Sequence, residues 1–243
     1  MERANAAGAA LRDGYRAKVF LMTKFDSRTK SGTARQIEES LQRLQTDHID
    51  LLQYHENIRM EDPDRFFAPE GPLETLLDAQ RAGRIRDIGF TGHKDPAIHL
   101  RMLDLARQRN FQFATCQMPL NVMDPHFRCF ERLVLPKLLE QGIAPLGMKP
   151  MGDANILKSG IVTAMECLHY ALNLPAAVII TGCDSMDRVN QAVEAAESFK
   201  PMNPAQVSAL LDRTKPAGSH GTFEVFKTTL AHDGTTMNPA WMA

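Results

Sequence analysis

The feature that most constrains this chain is a rhythm. Short apolar segments open near Lys18 (KVFLMTKF), Ile49 (IDLLQYHE), Ile85 (IRDIGFTGH), Phe111 (FQFATCQMPLN), Gly142 (GIAPLGMKP) and Ala176 (AAVIITG), roughly 26–36 residues apart. Between them lie stretches with helical spacing: Thr33 to Thr46, then Pro72 to Gly83 with Leu73, Leu76 and Leu77 apolar. Asp95-Pro96 opens another, with Leu100, Leu103 and Ala106 on one face. This alternation is a run of βα units, and it predicts a parallel sheet covered by helices. In such sheets the chemistry sits at the carboxyl ends of the strands.

Two closures compete. A doubly wound sheet usually carries G-x-G-x-x-G after its first strand, and none occurs here. A (β/α)8 barrel of the TIM type fits better, but it needs eight strands and only about six can be counted. The first two strands of the repeat are therefore expected to be missing, since the chain opens on a helical stretch ending at Gly14. An incomplete barrel would expose sheet edges and apolar faces, which predicts self-association. Residues 1–215 form the incomplete barrel in this scheme, and residues 216–243 an irregular tail. The remaining helices are expected from Phe127 to Leu138 with a break at Pro136, after Ser159, after Ser185, and from Asn203-Pro204.

Composition removes several functions. A formal net charge of −1 gives no electrostatic case for nucleic acid or an anionic membrane. No apolar run reaches the length of a membrane span, and the first residues lack the apolar core of a secretory signal. Cys116, Cys129, Cys167 and Cys183 lie far apart with no C-x-x-C pair, so buried free thiols and a reducing cytoplasm are expected. His93, His99, Cys116 and His126 do not have metal-ligand spacing.

Two strand ends carry titratable groups. Lys24 closes the first strand and His55 the second, with one crossover helix between them. A lysine at a strand mouth is either an ordinary solvated residue or an amine tuned by burial, suited to polarising a proton donor or forming a Schiff base. His55 is either a satisfied core residue or a donor to a carbonyl oxygen. Alternation puts Tyr54 and His55 on opposite faces, so only one of them points into the barrel. Phe66 and Phe67, in the long loop after the second strand, either wall a substrate pocket or pack beneath that loop.

The ordered motifs T-K, L-L-Q-Y-H-E, G-F-T-G-H, Q-M-P-L-N, M-K-P-M-G and I-I-T-G-C-D-S-M-D-R resemble the aldo/keto reductase family from the first helix to about Phe199. The resemblance implies a β/α barrel that uses NADPH to reduce aldehydes and ketones by hydride transfer. The family carries a tetrad of aspartate, tyrosine, lysine and histidine, and Lys24 and His55 match its last two members. By the same resemblance Thr91 and Gln117 would hydrogen-bond the nicotinamide carboxamide. Met148 stands where many members stack an aromatic ring, and Lys149 would reach the pyrophosphate. Gly182, Ser185 and Arg188 form the phosphate end, where Arg188 favours a 2′-phosphate and Asp184 opposes it. Gln191 and Ala192 replace a Glu-Asn pair that many members place around the adenine.

The family's aspartate and tyrosine lie upstream of the helix with which this sequence begins. The chain therefore resembles an N-terminally truncated member, and loss of the acid would cost on the order of 10²–10⁴ in rate. An impaired carbonyl reductase is the expectation; the alternative is a non-catalytic NADP(H)-binding scaffold or partner subunit.

Overall fold

The computed structural model describes residues 2–243, and they form two compact units. The first comprises residues 2–91, 101–114 and 234–243; the second comprises 92–100 and 115–233.

In the first unit, α1 (Glu2–Ala10) leads to β1 (Met22–Phe25), α2 (Lys30–Leu44), β2 (Ile49–Tyr54), α3 (Asp62–Phe66), α4 (Leu73–Arg81) and β3 (Ile85–Thr91). The strands are parallel, with Lys24 opposite Gln53, Phe25 opposite Tyr54 and Tyr54 opposite Phe90. Helix α2 begins where the Thr29 hydroxyl accepts from the Gly32 N–H, and it buries Ile37, Leu41 and Leu44 along one stripe. It ends at Gln45, whose φ of 53° is left-handed. Every residue of β2 is buried, as expected of a parallel strand covered on both faces.

One sheet face of this unit is aromatic. Phe25 and Tyr54 have ring centroids 5.5 Å apart, Tyr54 and Phe66 5.0 Å, and Phe90 and Phe113 4.7 Å. Phe66 and Phe67 are buried in this cluster with Phe111 and Phe113, so they are core and do not wall a pocket. The loop that holds them is ordered by α3, which the proline-bearing sequence of that loop concealed.

After β3 comes α5 (Pro96–Gln108). The second unit then holds β4 (Thr115–Pro119), α6 (Phe130–Leu133), α7 (Leu135–Glu140), β5 (Ala144–Met148), α8 (Ala164–Leu172), β6 (Val178–Ile179), α9 (Met186–Ser198), α10 (Pro204–Gly218) and α11 (Val225–Thr228). Its strands pair in parallel, β4 with β5 and β5 with β6. The break near Pro136 divides α6 from α7. Ser159 ends a 3₁₀ turn and does not cap α8; Thr163 does, in a reciprocal capping box with Glu166.

The tail is more ordered than its Gly/Thr/His-rich composition suggests. Helix α10 continues to Gly218, α11 follows, and α12 (Gly234–Met237) with a 3₁₀ turn at Pro239–Met242 ends the chain. In the second unit Lys227 is wholly buried and donates to Asp124 at 2.6 Å, to Glu224 at 3.0 Å and to the Phe127 carbonyl at 2.7 Å. Asn121 donates to the same Glu224 carboxylate at 3.0 Å. Burial pushes Glu224 up to about 7, against the pull of Lys227. In the first unit the Glu56 carboxylate accepts from the N–H groups of Gly234 and Thr235, which starts α12. Among the described residues no helix is long and apolar enough to cross a membrane.

Candidate active site

The register of the first unit decides which side chains share a face. Lys24 lies beside Gln53, on the face opposite the aromatic cluster, and alternation returns Asp26 and His55 to that face. The pairing of Tyr54 with Phe90, carried one residue further, brings Thr91 level with His55. Lys24, Asp26, His55 and Thr91 therefore gather at the carboxyl ends of three adjacent parallel strands. Burial draws the Lys24 amine below its usual range, and the Asp26 charge opposes that shift.

Asp26 and His55 are in contact. The Asp26 Oδ1 lies 2.8 Å from His55 Nδ1, and both side chains remain partly exposed, at 24% and 33%. Arg28 fixes the backbone on both sides of this pair. Its guanidinium donates to the Asp26 carbonyl at 2.7 Å, to the Glu56 carbonyl at 2.8 Å and to the Asp62 carboxylate at 3.1 Å. It also lies 4.4 Å above the Tyr54 ring. The Gln36 Oε1 accepts from the N–H groups of Asp26 and Ser27, so the end of β1 is tethered a second time. Asn57 donates from both its backbone and its side chain to the Thr91 carbonyl, at 2.9 and 3.0 Å.

No tyrosine among the described residues of the first unit joins this group. Tyr54 is buried on the other face, donates to the Asp62 carbonyl at 3.2 Å, and has its hydroxyl pKa raised by burial. Tyr15 lies on a 3₁₀ turn that precedes β1, exposed, with Lys18 over its ring. Tyr170, in the second unit, donates to Glu131 at 2.7 Å.

The second unit holds the remaining candidates. Gln117 is buried on β4; its side-chain N–H donates to the Met148 sulfur at 3.2 Å, while its Oε1 has no hydrogen-bond partner. Lys149 has a left-handed φ of 55° and pairs with Asp153 at 2.7 Å, 5.1 Å above the Phe226 ring. Ser185 caps α9 by accepting from the Arg188 N–H. Arg188 is exposed and reaches only to Gln191 at 3.3 Å, and a side chain added at Gly182 would meet nothing within 4 Å. This end of the unit offers open N–H groups and a cation at a helix N-terminus. Cys116, Cys129 and Cys167 are buried free thiols, and Cys183 is an exposed one, contrary to expectation, because it lies in the open turn before α9.

Sequence reasoning passed over Asp26, Arg28, Glu56 and the Lys227 cluster. Only Asp26 left a usable signal, since it follows Lys24 by two residues and strand alternation returns it to the same face. Arg28 acts through groups distant in sequence, and Lys227 pairs with an aspartate 103 residues away, so neither advertises itself locally.

Known proteins are similar to this chain. The sequence profile of the Aldo/keto reductase family matches residues 2–160. Aldo-keto reductase YhdN of Bacillus subtilis is 29% identical over 136 residues, which cover 51% of this chain and 35% of that protein. Methylglyoxal reductase DkgB of Escherichia coli O157:H7 is 25% identical over 167 residues, 68% of this chain and 57% of that one. The chain thus spans less than two thirds of the length of these relatives. Among solved structures, the holo form of aldo-keto reductase AKR11C1 from Bacillus halodurans superposes with a TM-score of 0.68 at 20% identity, covering 86% of this chain and 76% of that one. An aldo/keto reductase from Brucella melitensis gives 0.66 at 18% identity, with 86% and 80% covered. These likenesses give the fold as the α/β, TIM-barrel type, with parallel strands and interleaved helices. On the family match across most of its length, this chain belongs to the aldo/keto reductase family.

Proposed function

We propose that this chain is an NADPH-dependent reductase of aldehydes or ketones, in which the first unit handles the proton and the second holds the nucleotide. The observation that carries the proposal is the gathering of Lys24 and His55 on one sheet face at neighbouring strand ends. That spacing suits two groups acting on one reacting oxygen. The cofactor is supported by Gln117, whose buried, unpartnered Oε1 suits the N–H of a carboxamide. NADPH, when bound, would supply the hydride.

In this scheme Gln117 orients the carboxamide, and Met148 offers a soft surface to the ring. Gly182, Ser185 and the N-terminus of α9 receive phosphate, and Arg188 selects the 2′-phosphate. Lys149 reaches the pyrophosphate by exchanging Asp153 for it. The protein works in the cytoplasm, where its four free cysteines stay reduced, on a small carbonyl substrate and with neither nucleic acid nor membrane as partner. Self-association is expected near the start of β1, where Val19 and Phe20 are exposed.

Fluorescence titration tests the proposal first: NADPH is expected to bind with a Kd on the order of micromolar. Methylglyoxal, the substrate in the name of the E. coli relative, serves as the first aldehyde, and NADPH consumption that depends on it is expected. Failure to bind millimolar NADPH removes the proposal. The second reading is a nucleotide-binding scaffold; binding without turnover on any aldehyde would establish it.

A further inference from the structure

We infer that Lys149, Asp153 and His232 form a proton-linked diphosphate site in the second unit. When Lys149 turns from Asp153 to a diphosphate, Asp153 is left to the His232 ring, which takes up a proton. This rests on the nucleotide reading above, which gives Lys149 to the pyrophosphate.

One carboxylate oxygen has two partners. Asp153 Oδ2 accepts from Lys149 Nζ at 2.7 Å and lies 3.3 Å from His232 Nδ1. The carboxylate thus compensates an ammonium, and it has an imidazole within reach when that ammonium leaves. Lys149 and His232 also share the buried Phe226 ring. Lys149 Nζ lies 5.1 Å above its centroid, and the His232 ring stands edge-on to it at 6.4 Å.

The His232 side of the site is pinned without help from Lys149. Asp233 Oδ1 accepts from Lys94 Nζ at 2.9 Å and lies 3.2 Å from His93 Nε2. Lys94 also donates to the Thr229 carbonyl at 2.6 Å, and the Asp233 N–H donates to the Leu230 carbonyl at 3.0 Å. These bonds fix the turn that carries the imidazole. On the other side, Lys149, Asp153 and Ala154 hold left-handed φ values of 55°, 55° and 64°, which residues with side chains adopt rarely. Their loop is therefore held in one shape, and the exchange at Asp153 asks only for rotation of the long Lys149 side chain.

The charges around His232 fix the direction of the proton. Lys149 and Asp153 face it from the end of β5 and the loop that follows, Lys94 from the segment before α5, and Asp233 from its own turn. Burial is the largest influence and lowers the pKa of the ring; Lys149 and Lys94 lower it too, while Asp153 and Asp233 raise it. A diphosphate at Lys149 neutralises one of those cations and adds negative charge nearby, so the ring gains affinity for a proton. Water supplies it, since a quarter of the side chain is exposed. By linkage, the anion binds more tightly as pH falls through the bound-state pKa of His232, and the gain levels off below its free-state pKa.

Proton NMR of the full chain from about pH 5 to 8 follows the His232 ring, whose signal is assigned by its loss in His232→Gln. Saturating NADP⁺ is expected to move its midpoint to higher pH; an unmoved or lowered midpoint overturns the inference. Calorimetry at about pH 6, in buffers of different ionisation enthalpy, counts the protons: the parent should take up about half a proton more per NADP⁺ than His232→Gln. Titration of the 2′-phosphate is common to both proteins and cancels, so equal uptake refutes the role of His232. Asp153→Asn removes the competitor for Lys149 and is expected to bind NADP⁺ about threefold more tightly at about pH 8. Unchanged or weaker binding there contradicts the exchange. Failure of millimolar NADP⁺ to bind refutes the nucleotide reading alone. The same NMR titration with inorganic pyrophosphate then decides the exchange, upheld by a raised His232 midpoint and refuted by an unmoved one.

Discussion

The two candidate regions differ in how much of their geometry is already made. At the strand ends of the first unit, Asp26, Arg28, Gln36, His55 and Asp62 are linked by hydrogen bonds. At the start of α9 in the second unit, Gly182, Ser185 and Arg188 are exposed, and Arg188 touches only a neighbour on its own helix. Proton transfer needs donor and acceptor placed within a few tenths of an ångström, whereas phosphate capture needs charge and N–H groups that a flexible ligand can find.

Substitutions break this contrast in order of size. Lys24→Met and His55→Gln should each lower turnover on the order of 10²–10⁴-fold while leaving NADPH affinity within about threefold. Stopped-flow kinetics beside fluorescence titration would check both halves. A loss of binding equal to the loss of turnover would show that the two regions are not separable. The next effect is on stability. Lys227→Met leaves Asp124 and Glu224 buried without their cation, at a cost of about 3–5 kcal/mol in urea unfolding. An unchanged midpoint would mean that the tail cluster does not hold the second unit together.

Arg188→Ala sharpens the nucleotide side. The charged hydrogen bond it removes is worth about 1.5–3 kcal/mol, so NADPH affinity should fall about tenfold or more while NADH affinity stays level. Equal losses for the two cofactors would place the 2′-phosphate elsewhere. The smallest effect concerns pH. Glu224 is held up to about 7 by burial, above its ordinary 4.5, so its contribution to stability is complete below 4.5 and is lost as pH rises through 7. Urea unfolding at several pH values should show Glu224→Gln losing that slope. His99 behaves oppositely: burial beside Phe130 depresses it to about 3, so its contribution is present above 6.5 and disappears as pH falls toward 3.

Much of this was legible in the sequence because it rests on local periodicity. The βα rhythm, the Ser185 and Asn203 caps, and the places of Lys24 and His55 at strand ends all follow from spacing within a few residues. Tyr54 faces away from His55 as alternation required. What escaped depends on distant pairs. The Thr163 capping box displaced the expected cap at Ser159, because Gly160 turns left-handed and interrupts the helix. The order of the tail comes from Lys227 meeting Asp124 and Glu56 meeting Gly234, contacts that composition cannot reveal. A carboxylate after a strand usually faces water, and the partner of Asp26 lies 29 residues on, so the pair leaves no local signal.

The most direct test of the central claim, that an amine and an imidazole on one strand-end face drive NADPH-dependent carbonyl reduction, is a single-turnover measurement. The full chain with NADPH already bound is mixed with methylglyoxal, and alcohol formation is followed in parallel for the parent and for Lys24→Met/His55→Gln. Slow but stoichiometric alcohol in the parent and none above background in the double variant is the predicted result. Equal rates in the two proteins, or cofactor held tightly with no alcohol formed by either, would contradict it.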